Sequence, residues 1–313
     1  MVDTERMIEA QVPAEPSATT HERRPDPVRP RVGLVQHRSR DSQDLDPFFA
    51  LLVAGMEESL DAAGGVVLVV FEQEGERELE VYARWAREGL VDTVVLTDLS
   101  EADPRVDHCR GLGLQVVVLG PEAVEGVSCV IVDETSAVRS AVEHLSGLGH
   151  RRVARVQGPL RLRHTVVRAG RFDAELAAAG MTWVVAQGDY SIRSGETATA
   201  ALMALDAPPT AIVYDNDLMA LGGLRSLAEH GSSTPADVSL LAWDDSPHCR
   251  LARPALSAVT RDLRDLGATV GSLAVSAAAG DHARIVHVGD VSVVGRGTSG
   301  PPPRPVDGAR QTG

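Results

Sequence analysis

The sequence predicts an α/β protein made of two doubly wound parallel-sheet lobes. Three observations carry this. Short β-branched runs alternate with longer segments of helical apolar period. Glycines close several of the helical segments. The alternation repeats about nine times, too often for one open sheet of ordinary size.

The first series opens with a strand over 31–36 and a helix over 48–63 ended by Gly64-Gly65. A strand over 66–71 and a helix over 76–88 follow, closed by Gly89. Next come a strand over 93–96, a helix over 104–112 and a strand over 115–119. Residues 129–132 read as a strand leading into a helix over 135–148. The second series runs through a strand over 152–156, a helix over 165–179 with Gly180 beyond it, and a strand over 183–186. It continues through a helix over 195–205, a strand over 210–214, a helix over 217–230 with Gly231 beyond it, and a strand over 238–243. A late helix over 263–279 precedes strands over 285–288 and 291–294.

The two ends differ from this body. Residues 1–30 carry Pro13, Pro16, Pro25, Pro27 and Pro30 and little apolar periodicity. They read as a disordered arm with at most one short helix near 3–11. Residues 297–313 hold Pro301, Pro302, Pro303 and Pro305 and read as a loose tail.

Composition removes several classes of function. With 30 basic and 44 acidic residues, the net charge of −14 makes a poor non-specific polyanion binder. Every basic residue is Arg, which excludes Schiff-base chemistry, the P-loop Lys and the kinase strand Lys. Cys109, Cys129 and Cys249 are far apart and odd in number, so they suggest neither a zinc site nor a disulfide framework. No H-E-x-x-H pair or G-x-S-x-G elbow occurs, and no cofactor is expected. The first 30 residues lack an apolar export segment, and no stretch is apolar enough to span a membrane. A cytoplasmic protein without membrane association is the expectation.

Gly295-Arg296-Gly297-Thr298-Ser299-Gly300 spells G-x-G-x-x-G after a strand. The dinucleotide fingerprint needs a helix next, and three prolines follow here, so the match is read as chance. The functional candidates lie instead just beyond strand ends, where ligands sit in open α/β sheets. Asp46 and Phe48 follow the first strand, as ligand contacts or as a helix cap and core aromatic. Arg168 lies early in a helix, where a cation opposes the macrodipole, which points to a specific anionic or polyol partner. Asn216 follows a strand and reads as a helix cap or a ligand contact. Asp244-Asp245 follow another strand, and adjacent residues there face opposite ways, which favours binding or a turn over paired acid–base work.

Several segments together resemble the lactose-repressor/galactose-repressor (LacI/GalR) family. Asp46-Pro47-Phe48-Phe49 is similar to the family's Asn-Pro-Phe-Phe after strand one. Val142-Glu143-His144-Leu145 with Gly149-His150-Arg151-Arg152-Val153 resembles its A-x-E-H-L…G-H-R-R-I stretch. Arg168…Phe172 resembles R-x-x-G-F, with Arg171 in place of the Gly. Pro209-Thr210-Ala211 with Asn216-Asp217-Leu218-Met219-Ala220-Leu221-Gly222 is close to P-T-A…N-D-x-M-A-x-G. Pro235-Ala236-Asp237-Val238-Ser239, Trp243-Asp244-Asp245 and Pro254-Ala255-Leu256-Ser257-Ala258-Val259 resemble P-x-D-V-S, G-[FY]-D-D and P-x-L-T-T-V.

The resemblance implies a periplasmic-binding-protein-like type I core, with three crossovers joining the lobes and a small sugar- or nucleoside-like effector between them. It implies a homodimer. The implied lobes are 31–133 plus about 260–283, and 134–259 plus about 284–298, with 299–313 as a disordered tail. The implied effector contacts are Asp46, Phe48, Asp133, Arg168, Asn216, Trp243 and Asp244. Carboxylates, an amide and a guanidinium suit hydroxyls, and the aromatics offer an apolar face to a ring.

Two departures stand out. The family often shows Asp-Arg where this chain has Gly120-Pro121, which removes a polar cleft group. Family repressors carry a helix-turn-helix and a hinge helix before strand one, roughly 50–60 residues. The proline-punctuated first 30 residues are expected not to hold that reader. DNA binding is therefore expected only if a longer N-terminus or a partner supplies it. The leading expectation is the effector core of a transcriptional regulator, and the alternative is a stand-alone cytosolic sugar or nucleoside sensor without DNA. A transport-associated binding protein is disfavoured by the missing signal peptide. An enzyme is disfavoured because no nucleophile–base set survives scrutiny.

Overall fold

The computed structural model describes residues 29–37, 47–72, 77–289 and 291–304. Residues 1–28 of the expected arm over 1–30, and Asp46, lie outside the described residues. The first lobe is built on β1 (Arg31–His37), α1 (Pro47–Ala62), β2 (Val66–Glu72), α2 (Glu78–Glu88), β3 (Thr93–Leu96), α3 (Arg105–Gly111), β4 (Gln115–Gly120) and β5 (Ser128–Val132). The chain then crosses into the second lobe with α4 (Glu134–Gly147), β6 (Arg152–Gln157), α5 (Arg163–Ala178), β7 (Thr182–Gln187) and α6 (Ile192–Met203). That lobe continues through β8 (Ala211–Tyr214), α7 (Asp217–Glu229), β9 (Ser239–Trp243), α8 (Pro247–Leu251) and β10 (Ser257–Thr260). The last elements are α9 (Leu263–Ala278), β11 (Ile285–Val288) and β12 (Ser292–Val294).

Each lobe has one six-stranded sheet, ordered β11-β5-β4-β3-β1-β2 and β12-β10-β9-β8-β6-β7. All pairings are parallel except β10 with β12. Parallel strands are covered on both faces, which explains their continuous apolar runs. In the first lobe, Tyr82, Trp85 and Cys109 from α2 and α3 pack on one face. Leu52, Met56, Leu266 and Val270 from α1 and α9 pack on the other. The second lobe repeats this with α6 and α7 on one face and α4 and α5 on the other.

The helix pair α1–α9 approaches closely through two glycines. A Cβ at Gly55 would overlap the Arg264 carbonyl oxygen, and one at Gly267 the Leu52 carbonyl oxygen. Overpacking of this kind forces backbone shifts. Gly55→Val is expected to destabilise the first lobe by about 1–3 kcal/mol or more, read as a lower urea midpoint. An unchanged midpoint would mean the helices separate freely.

Three sequence expectations are corrected here. Residues 257–260 form β10, which carries the second crossover back to α9, and the strand sequence Ser-Ala-Val-Thr is too short to announce itself. Ile285–Val288, expected in the second lobe, pairs with β5 in the first sheet, so the third crossover follows Val288. The expected loose tail is tied down over its first residues. Thr298 is fully buried, donates to the Leu240 carbonyl at 2.9 Å and accepts from the Ser257 amide at 2.8 Å. Gly300 accepts at 2.9 Å from buried His150, and Ser299 lies 3.1 Å from His144 Nε2. The G-x-G-x-x-G segment is thus a strap across the second lobe, with no helix after it among the described residues.

Candidate functional site

A cavity of about 140 Å³ lies between the lobes, beyond the carboxyl ends of both sheets. The two lobes line it with different chemistry. Phe48, Phe49, Leu119, Gly120, Pro121 and Val132 give it an apolar wall on the first-lobe side, with Thr97 and Asp98 beside them. His164, Arg168, Tyr190, Asp215, Asn216, Asp217 and Asp244 give it a polar second-lobe wall. Two further lining residues stand at crossovers: Glu134 opens α4 directly after the first, and Arg261 lies in the second, between β10 and α9.

Glu134 opens α4 directly after the first crossover, and Arg168 lies in the second turn of α5. Both side chains are almost fully buried. Arg168 Nε donates to Glu134 Oε2 at 2.7 Å and Nη2 to Oε1 at 3.2 Å. Its Nη1 reaches the Asp215 carbonyl at 3.2 Å, and its guanidinium lies 4.4 Å from the Trp243 ring centroid. The helix macrodipole does not favour Arg168 at this position, and these partners compensate. Burial alone would raise the Glu134 carboxyl, but the charge and hydrogen bonds of Arg168, then Arg261, outweigh it and hold it at about 2.

Asp215 is likewise spent on the protein. It accepts from Arg155 Nε at 2.9 Å, Arg155 Nη2 at 2.6 Å and the Gly158 amide at 3.0 Å. Asn216 caps α7: its Oδ1 accepts from the Met219 amide at 2.9 Å, and its Nδ2 donates to the Tyr190 carbonyl at 3.0 Å. Asp217 accepts from the Ser246 hydroxyl, and burial raises its pKa. On the rim, His164 Nε2 and the Thr165 hydroxyl each lie 2.9 Å from the Tyr190 hydroxyl. His164 Nδ1 lies 3.6 Å from Asp98 Oδ1 across the lobe boundary. Burial pushes the His164 pKa down against the pull of Asp98.

Asp244 is different. Its Oδ1 is buried without a hydrogen-bond partner, and the nearest cation, Arg261 Nε, is 3.6 Å away. Burial pushes its pKa up to about 6, against the opposing charges of Arg261 and Arg168 and with help from Glu134 and Asp217. Its backbone is left-handed, with φ 65, as are those of Asp98 at φ 52 and Tyr190 at φ 70. Left-handed residues other than glycine are uncommon, and three of them face this cavity, a clustering associated with functional sites.

Of the residues singled out from sequence, Phe48, Arg168, Asn216 and Asp244 line the cavity. Two do not. Asp133 caps α4, accepting from the Ser136 amide at 3.0 Å and the Ser136 hydroxyl at 2.6 Å. Trp243 is fully buried behind Arg168, against Phe172 at 5.8 Å between centroids. Sequence reasoning missed Glu134, Arg261, Asp98, His164, Tyr190, Asp215 and Asp217. Arg261 directly follows β10, so recognition of that strand would have exposed it by the strand-end rule. No residue group among those described has the donor set of a metal site. No described helix is long and apolar enough to cross a membrane.

The two-lobed architecture and the cleft match known proteins. A family model of the periplasmic binding protein-like domain matches residues 142–299. The HTH-type transcriptional regulator CelR of Thermobifida fusca is 30% identical over 278 residues, 86% of this chain and 80% of that protein. A solved LacI family transcriptional regulator from Bifidobacterium animalis subsp. lactis superposes with a TM-score of 0.78 at 27% identity, covering 87% of this chain and 98% of that one. A solved transcriptional regulator CelR–cellobiose complex gives a TM-score of 0.78 at 27% identity, covering 88% and 86%. With this identity to CelR over most of both chains, and superposition over 87–88% of this one, the chain belongs to the LacI family of transcriptional regulators.

Proposed function

We propose that this chain is the effector-responsive core of its regulator. It takes a small sugar-like molecule into the cleft and passes the resulting change in lobe arrangement to transcription. The observation that carries this is that Glu134, directly after the first crossover, and Arg261, within the second, both line the cavity. A ligand there touches both lobes and the segments that join them. It favours one arrangement by as much as its affinities for the two differ. The CelR complex with cellobiose supports a sugar as the ligand class.

In this reading Arg168, Asn216 and Asp244 bind hydroxyls, and Phe48 covers an apolar ring face. Asp46 stays among the proposed contacts on the resemblance alone. Trp243 backs Arg168, and Asp133 fixes the start of α4. The chain works as a homodimer. Each sheet ends in an edge strand with exposed apolar side chains, Val66 and Phe71 on β2 and Val184 and Val185 on β7. A twofold partner would cover both edges. Operator binding depends on a helix-turn-helix reader, and the protein acts in the cytoplasm.

A thermal-shift panel of sugars and nucleosides tests this. A bound sugar at a hundred times its Kd is expected to add about 2.7 kcal/mol, several degrees in Tm. If neither class moves the Tm, the effector reading fails. Deleting the gene is expected to change transcription of a few operons. Unchanged transcripts alongside sugar binding would favour the stand-alone sensor.

A further inference from the structure

The crossovers join the lobes covalently, after β5, β10 and β11. A non-covalent tie joins them as well, from the segments that follow β3, β4 and β6. Ser100 and Leu162 form an antiparallel bridge across the boundary, and the Arg163 amide donates to the Leu99 carbonyl at 2.8 Å. Arg163 Nη2 donates to Glu122 Oε2 at 2.6 Å, and beside it His164 faces Asp98. Leu99 and Leu162 are both buried at this boundary.

Each half of this clasp is built for the other. Leu162 is the N-cap residue of α5, and its side chain has no oxygen to accept a hydrogen bond. A helix start leaves its first amides without intrahelical partners. The first such amide of α5, that of Arg163, takes its acceptor from the opposite lobe. The first-lobe half is fixed within its own lobe. Arg105 Nη2 donates to the Thr97 and Asp98 carbonyls, each at 3.0 Å, and its Nε to Asp103 Oδ1 at 2.9 Å. Asp103 Oδ2 in turn accepts from the Ser100 amide at 2.9 Å. Separating the lobes therefore keeps this loop's shape and takes away the acceptor of α5.

We propose that the first lobe caps α5 across the cleft, and that the effector stabilises this clasp, so that Arg163 sets effector affinity from outside the cavity. The proposal rests on the reading of the cleft as the effector site. α5 carries His164 and Arg168 to the cavity wall, whereas Arg163 and Glu122 lie outside that lining. A molecule that touches both walls needs the lobes together, and the clasp needs the same approach. Whatever holds the clasp raises the population of the arrangement that binds effector.

Arg163→Pro separates the clasp from the helix. Proline is favoured as the first helical residue, and Leu162 already has the extended backbone, φ −93 and ψ 127, that proline requires before it. The substitution removes the amide and the ion pair and places a ring carbon against the Leu99 carbonyl. Calorimetric titration of the full chain uses cellobiose, glucose, ribose and adenosine as probes. Each probe that binds the parent chain is expected to bind Arg163→Pro about tenfold or more weakly. Arg163→Asp keeps the amide and suits a helix N-terminus but repels Glu122, so about threefold weaker binding is expected. Spin labels on Ala123→Cys and Val166→Cys read the lobes without a probe, since the native cysteines are buried. Their separation is expected to lengthen in Arg163→Pro. A melt checks that Arg163→Pro folds, and Arg163→Asp carries the test if it does not. Unchanged or tighter probe binding in the folded variant overturns the proposal, as does an unchanged label separation. Absence of binding by every probe in the parent chain overturns the effector reading itself, while the label separation judges the clasp independently.

Discussion

Asp215→Ala is expected to lower folding stability by about 3–5 kcal/mol, the usual consequence of leaving one member of a buried ion pair alone. The Asp215 carboxylate is fully buried and Arg155 is 3% exposed. The substitution strands that guanidinium, removes the acceptor of the Gly158 amide, and takes away a charge 3.9 Å from Arg168. Water cannot repay the lost bonds at such a depth. Asp215→Asn keeps the shape and one acceptor but loses the charge, so it is expected to fall between wild type and Asp215→Ala. Urea unfolding reads both. A loss below about 1 kcal/mol for Asp215→Ala would mean that the pair is open to solvent. Replacing Arg155 and Asp215 together by apolar residues is expected to recover much of the loss, because the pair serves position more than stability.

Asp244→Asn is expected to separate function from stability. The amide cannot match the charged acceptor, so effector affinity should fall about ten- to a hundredfold. Stability at pH 7 should rise instead. Burial raises the Asp244 pKa to about 6, so the folded protein holds this proton more tightly than the unfolded chain does. The stability this group confers is full below about pH 4 and is lost as pH rises through about 6. At neutral pH that loss is at most about 3 kcal/mol. The variant carries no charge to desolvate, and Asn tolerates the left-handed backbone at φ 65. Urea midpoints at pH 5 and pH 7 check this: the decline with pH should flatten in Asp244→Asn. Glu134 has the opposite sign. Its pKa is held at about 2, so its stabilisation is present above the usual carboxylate range and is lost as pH falls through about 2. The two windows barely overlap, but His144, His150 and His164, held below their usual pKa, and Asp217, held above its own, also shape the slope between pH 5 and 7, so the difference in slope between the parent chain and Asp244→Asn reports Asp244.

The sequence showed the alternation of strands and helices because buried parallel strands and amphipathic helices have different apolar periods. Helix ends were legible where Gly89, Gly180 and Gly231 take positive φ just past the last turn. Sheet membership was not. Four residues such as Ile285–Val288 carry no mark of which lobe they join, and long-range pairing decides it. The tail misled because its prolines suggest a free chain, while the hydroxyl of Thr298 and the ring of His150 anchor it. In the site, Arg168, Asn216 and Asp244 were legible because they follow strand ends or open helices within recognisable motifs. Glu134 and Arg261 were not, since a crossover between lobes looks like any short loop until both lobes are in place. By sequence Trp243 offers a ring-stacking face, but its indole is buried beneath the Arg168 guanidinium.

The central claim is that the effector sits between the lobes, against the crossovers. The most direct test is a crystal structure of the chain with a sugar identified by the panel. The ring should lie between Phe48 and Arg168, with a hydroxyl on Asp244 Oδ1. A sugar bound elsewhere, with this cavity unoccupied, would contradict the account.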